Sequence, residues 1–178
     1  TPPAGYVFTA ADQGTDNAVD SDANAATGLT ASITLASGQN DVTWDAGVYR
    51  PASLSGYVYY DSNNDGLRAG ETPISGATVT LTGTTGLGNT VTLITTTNST
   101  GYYSFANLQP GVYTIIETQP TNYADGLDTL GSLGGTVAND QFSNVVMVSG
   151  ANGVEYNFGE RLKGGPSVGT GQTATIGF

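Results

Sequence analysis

Asp61, Asn63 and Asp65, followed by Gly66, place oxygen-bearing side chains at alternate positions ahead of a residue that permits a tight turn. This is the spacing of a calcium-binding loop, in which carboxylate and carboxamide oxygens converge on one hard cation. Leu67 stands at the seventh position of the same loop and Glu71 at the eleventh. An EF-hand places its bidentate Glu at the twelfth position, here Thr72, and lies between two helices, of which the flanks show no sign. The loop is therefore expected to be EF-hand-like without being an EF-hand. A polar β-turn with solvated acids is the other reading of these residues. The cation is favoured because clustered carboxylates repel at neutral pH, and only Arg68 lies near enough in the chain to balance them.

The rest of the composition narrows the chemistry. The 178 residues carry 15 acidic and four basic groups, a formal net charge of -11, with no histidine and no cysteine. That excludes a cysteine nucleophile, a serine–histidine pair, a thiolate or imidazole zinc site, haem and disulfides. No nucleic-acid partner is expected, since nothing neutralises a run of phosphates. No apolar run approaches the roughly 18 residues of a membrane span, and any export signal is expected to have been removed or to lie upstream. With 38% hydrophobic residues and ten tyrosines, the chain is not a disordered polyacid.

The elements that must hold these acids read as all-β. Amphipathic helical spacing is absent; short runs of Val, Ile, Thr and Tyr closed by Gly, Asn, Asp or Pro recur instead. The clearest are Leu54–Tyr60, Ala77–Thr82, Val91–Thr97, Tyr102–Phe105, Gly111–Thr118, Asn144–Val148 and Gly153–Gly159. Ala77, Val79 and Leu81 alternate with Thr78, Thr80 and Thr82, the period of a strand with one buried face. Gln109-Pro110-Gly111 and Asn98-Ser99-Thr100-Gly101 read as tight connections. Short strands separated by turn residues predict an immunoglobulin-like β-sandwich.

The chain also repeats itself. The block Ser37–Gly47 matches Ser149–Gly159, and Pro3–Tyr6 matches Pro120–Tyr123. Residues 1–53 then correspond to the back half of a module whose complete copy spans 54–160, with a Gly-rich linker and a short terminal strand over 161–178. The three parts carry net charges of -5, -8 and +2.

Ala52–Asp61, Asn63-Asn64-Asp65-Gly66, Gly70-Glu71 and Ile74–Leu81 resemble the opening of an SdrD B-like repeat. Gly101–Phe105, Leu108–Tyr113, Asp125–Thr129 and Tyr156–Glu160 continue the resemblance, which covers roughly residues 1–160. It implies Cna B-like, prealbumin-like β-sandwich modules in tandem, which bind Ca2+ and occur in large bacterial surface and adhesin proteins. A second acidic group, Asp12, Asp16, Asp20, Asp22 and Asn24, resembles the acidic loop of the same family, with Asp125, Asp128 and Asp140 as its sparser counterpart in the complete copy. Asp45 and Asn157, at matching positions in the last strand, are weaker candidates.

Tyr113-x-x-x-Glu117, followed by Pro120 and Tyr123, resembles the E-box of Cna B-like domains, where the Glu assists an isopeptide bond from a first-strand Lys. Leu54–Tyr60 holds no Lys, and the sole lysine, Lys163, lies beyond the last strand. No cross-link is expected, which leaves Glu117 as a hydrogen-bonded structural carboxylate and calcium as the substitute staple.

The reading favoured overall is a non-catalytic, calcium-stabilised stalk module, extracellular or on the bacterial surface. Its expected partners are neighbouring repeat modules or subunits. A calcium-dependent carbohydrate- or ligand-binding module is the runner-up, with a host or matrix ligand or glycan stacked on Trp44, Tyr57, Tyr59, Tyr60, Tyr102 or Tyr103. A hydrolase pairing Glu117 with Asp61 or Asp65 ranks last, because metal ligation already accounts for the acids. The half module is expected to carry strands near Tyr6–Ala10, Leu29–Leu35 and Gln39–Tyr49. Ala174, Ile176 and Phe178 alternate with Thr173 and Thr175, a pattern suited to strand donation and fibre assembly; the other reading, favoured by a small margin, is a piece of a longer tandem array whose upstream residues supply the missing strands.

Overall fold

The computed structural model describes residues 1–164, and the expected terminal strand Gln172–Phe178 lies outside them. Among the described residues all regular structure is β. In chain order the strands are β1 (Val7–Phe8), β2 (Val48–Tyr49), β3 (Ala52–Tyr60), β4 (Thr72–Pro73), β5 (Thr78–Thr85), β6 (Thr90–Thr96) and β7 (Tyr102–Leu108). They continue as β8 (Gly111–Thr118), β9 (Tyr123–Asp125), β10 (Thr136–Ala138), β11 (Gln141–Met147), β12 (Asn152–Gly153) and β13 (Phe158–Leu162).

Two sheets face each other across the core. One runs β10-β11-β8-β5-β6, with every pairing antiparallel. The other is built on β3, which pairs with β4 and β7 in antiparallel fashion and with β12 and β13 in parallel. Beyond β13, β9 closes the edge, with Glu160 opposite Asp125.

Alternation decides which side chains face inward. Val79 and Leu81 of β5 and Ile115 of β8 are fully buried, opposite Leu54 and Val58 of β3. Phe142 and Phe158 meet between the sheets with ring centroids 4.6 Å apart, and Phe142 and Tyr156 meet edge to face at 5.4 Å, a geometry that adds to simple area burial. The Tyr113 hydroxyl donates to the Gln109 carbonyl at 2.8 Å and ties down the turn into β8.

The sheet departs from the sequence pattern in two places. The run Gly153–Gly159 is not one strand. Glu155 adopts φ 59° and interrupts the ladder between β12 and β13. The Asn157 carboxamide accepts from the Tyr57 N–H at 3.0 Å and bridges the gap. In residues 1–50, the expected strands shrink to Val7–Phe8 paired with Val48–Tyr49, and Leu29–Leu35 forms none. Leu29, Ile33, Leu35 and Val42 are exposed: their alternation finds no second layer among the described residues, and a strand gains little where its apolar face stays wet.

Candidate metal centre

Asp61 follows β3 directly and is fully buried. Its carboxylate accepts from the Asp65 N–H at 3.1 Å and the Gly66 N–H at 2.8 Å. Asn63 Oδ1 accepts from the Asp65 N–H at 3.2 Å, while Asn63 Nδ2 donates to Asp65 Oδ2 at 2.8 Å. Asp65 Oδ1 accepts in turn from the Leu67 N–H at 2.8 Å. Asn64 at φ 58° and Gly66 at φ 73° supply the left-handed turns that wind the segment back on itself. Glu71 caps the loop from its far side, accepting from the N–H and hydroxyl of Ser62. Asp61, Asn63 and Asp65 are thus brought together, as their spacing requires, with their oxygens oriented by the loop's own amides. Arg68 does not neutralise them: its guanidinium lies over the Tyr57 ring at 3.8 Å and pairs with Glu155 at 3.5 Å.

This loop abuts a second group of acids. Thr129 Oγ1 donates to the Gly66 carbonyl at 2.7 Å, and the Asp61 N–H donates to the Glu160 carbonyl at 2.7 Å. Asp128 accepts from the Asp140 N–H at 3.0 Å and the Gly159 N–H at 3.3 Å. The Asp140 carbonyl accepts from the Glu117 N–H at 3.0 Å. Asp125, Asp128 and Asp140 therefore gather at the same pole as the Asp61 loop. The effect reaches Tyr59, whose hydroxyl is pushed up to about 12 by burial and by Asp61.

The structure adds two residues that sequence reasoning did not place among the ligands. Glu117 and Glu160 join Asp140 in a group whose carboxylate oxygens lie within 4.8 Å of one another. Glu160 is fully buried and Glu117 is 3% exposed. Both oxygens of Glu117, one of Glu160 and one of Asp140 have no hydrogen-bond partner. The expectation of a hydrogen-bonded Glu117 is corrected accordingly: its strand parity turns it inward with Tyr113 and Ile115, toward another acid rather than a donor. Glu160 does have a donor, the Gln119 carboxamide. Burial first, then Glu160, pushes the Glu117 carboxyl up to about 10. Burial pushes Asp128 up to about 7 and Asp140, facing Asp125, up to about 6. The parity of β8 in the sequence was the one signal that Glu117 lies inside.

The N-terminal acids are arranged more loosely. Asp12 sits at φ 53°, and Asp16 accepts from the Ala18 N–H at 3.1 Å. Asp22 accepts from the Asp45 N–H at 2.9 Å, and Asn24 Oδ1 from the N–H groups of Ala26 and Thr27. Asp20 keeps one buried oxygen unpartnered. No group of three acids converges here among the described residues. Of the aromatics considered as a stacking platform, Tyr59 and Tyr103 are buried, and Tyr57 is covered by Arg68 and meets Tyr102 in an edge-to-face pair.

A β-sandwich with acid-rich loops gathered at one pole is the class of protein these features define. The SdrD B-like domain model matches residues 1–48 and 52–159, and the chain belongs to that family. It is 42% identical over 121 residues to serine-aspartate repeat-containing protein C of Staphylococcus aureus strain N315, a match covering 66% of this chain and 12% of the relative. The chain thus spans a small part of the curated relatives it matches. Among solved structures it is similar to the major pilin SpaD of Corynebacterium diphtheriae (TM-score 0.42, 16% identity, 64% of this chain and 32% of that one). It is similar also to the Bacillus anthracis TIE protein (TM-score 0.41, 18% identity, 63% and 17%).

Proposed function

We propose that this chain is a non-catalytic, calcium-stabilised stalk module of a bacterial extracellular surface protein, carried between neighbouring modules of the same kind. Family membership supports the modular role. The observation that carries the calcium reading is the meeting of the Asp61–Asp65 loop with Asp125 and Asp128 at one pole, where no Lys or Arg pairs with them among the described residues. Calcium takes six to eight oxygen ligands, and the carboxylates crowded at this pole supply a share of them. The chemistry is structural: the ion neutralises the acids and fastens the loop after β3 to the segment after β9.

A cation that binds only the folded state stabilises it by about 2.7 kcal/mol at 100 times its dissociation constant, a large share of a marginal domain's stability. Chelator is expected to lower the melting temperature by more than about ten degrees at neutral pH and low salt, and Asp65→Ala to reproduce much of that loss. A melting curve indifferent to chelator sinks the calcium reading.

A further inference from the structure

We propose that Glu117, Glu160 and Asp140 form an interior binding site for a hard divalent cation of the calcium class, separate from the Asp61–Asp65 loop. The proposal deepens the calcium reading above and rests on it for the identity of the ion, but its ligands are different residues on different elements.

The case begins with burial. Glu117 sits on β8 and Glu160 on β13, strands of opposite sheets, and both side chains are more than nine-tenths buried. A buried carboxylate without donors is expensive, because it loses its water shell and gains nothing in return. Here four carboxylate oxygens from three residues are left in that condition in one place. Nor does a basic side chain offset them. Arg50 lies over Tyr6, Arg68 is engaged with Tyr57 and Glu155, the Lys163 ammonium donates to the Thr121 carbonyl, and Arg161 is exposed.

The neighbours behave as a frame. Both Asp128 oxygens are occupied by backbone N–H groups, of which one belongs to Asp140. The Gln119 carboxamide holds one Glu160 oxygen and leaves the other unpartnered. Asp140, at φ 54°, is fastened to Glu117 through its own carbonyl. Outer partners that orient carboxylates while leaving oxygens open are what a metal site requires. The spacing agrees as well. Calcium–oxygen distances of about 2.4 Å keep any two ligand oxygens of one ion within about 4.8 Å, and one oxygen from each of the three carboxylates meets that limit. An all-oxygen, triply anionic donor set selects calcium, magnesium or manganese over zinc or copper. The site would rivet one sheet to the other at the pole where the Asp61–Asp65 loop lies.

Calorimetric titration of the metal-stripped full chain with Ca2+ tests this, using wild type, Asp65→Ala and Glu117→Gln, with Asp140→Asn as a second site variant that suits a left-handed backbone. Near-ultraviolet circular dichroism confirms that each variant is folded. The expected result is that Glu117→Gln and Asp140→Asn each bind one calcium equivalent fewer than wild type and keep the equivalent that Asp65→Ala loses. Without metal, Glu117→Gln is expected to melt several degrees above wild type, because a neutral amide replaces a buried, unpaired acid. An unchanged equivalent count in both site variants overturns the interior site and leaves a carboxyl pair sharing a proton, while loss in Asp65→Ala alone upholds the loop. Wild type that takes up no calcium at all overturns both readings.

Discussion

Glu117 shows how one side chain carries opposite consequences with and without a cation. Its carboxyl is held up to about 10 by burial and by Glu160, with Asp140 and Asp128 adding to the effect. A folded-state value above the unfolded one means that the folded chain binds more protons between the two values, so stability falls as pH rises through that interval. Asp128 and Asp140, raised to about 7 and about 6, act in the same direction. Metal-free protein is therefore expected to be more stable near pH 5 than near pH 8, the reverse of a domain held by salt-bridged carboxylates. Saturating calcium is expected to flatten the dependence, since the cation favours the ionised acids. Urea melts at the two pH values, with and without calcium, check this. A metal-free chain that gains stability between pH 5 and 8 contradicts the burial of these groups.

At the scale of elements, β3 holds the second sheet together, and at its centre the backbone of Tyr156 lies tight against Gly56. A methyl group at Gly56 would lie 1.7 Å from the Tyr156 carbonyl oxygen and 2.9 Å from the Tyr103 hydroxyl. That hydroxyl donates to the same carbonyl at 2.7 Å, so the contact is fixed from two sides. Gly56→Ala must push backbone against backbone, and densely packed interiors do not absorb that. It is expected to cost about 3 kcal/mol or more and to lower the melting temperature by roughly 10 °C or more. Thermal denaturation of the variant measures it. A shift of under about 2 °C means that β12 and β13 can move away from β3, and the parallel pairing is then not rigid.

Across the whole molecule, the covalent tie that the E-box pattern suggests is expected to be missing. The first-strand element Ala52–Tyr60 has no lysine, and the single lysine is engaged with Thr121 at the far end of β13. Intact-mass measurement is expected to match the sequence mass, with no loss of ammonia or water. A deficit of either would mean that Lys163 does cross-link.

The all-β class, most strands and the acid loop after β3 are legible in the sequence because each depends on near neighbours. Val79 and Leu81 face inward by alternation, and Asp61, Asn63 and Asp65 converge by their spacing and the turns at Asn64 and Gly66. Contacts between distant strands are not legible in this way. That Glu117 would meet Glu160, that Glu155 would break the last strand, and that Leu29–Leu35 would remain unpaired all depend on what the opposite layer presents. Local spacing fixes which face a residue occupies, whereas only the stacking of the two sheets decides what that face meets, and for a buried carboxylate that neighbour determines its chemistry.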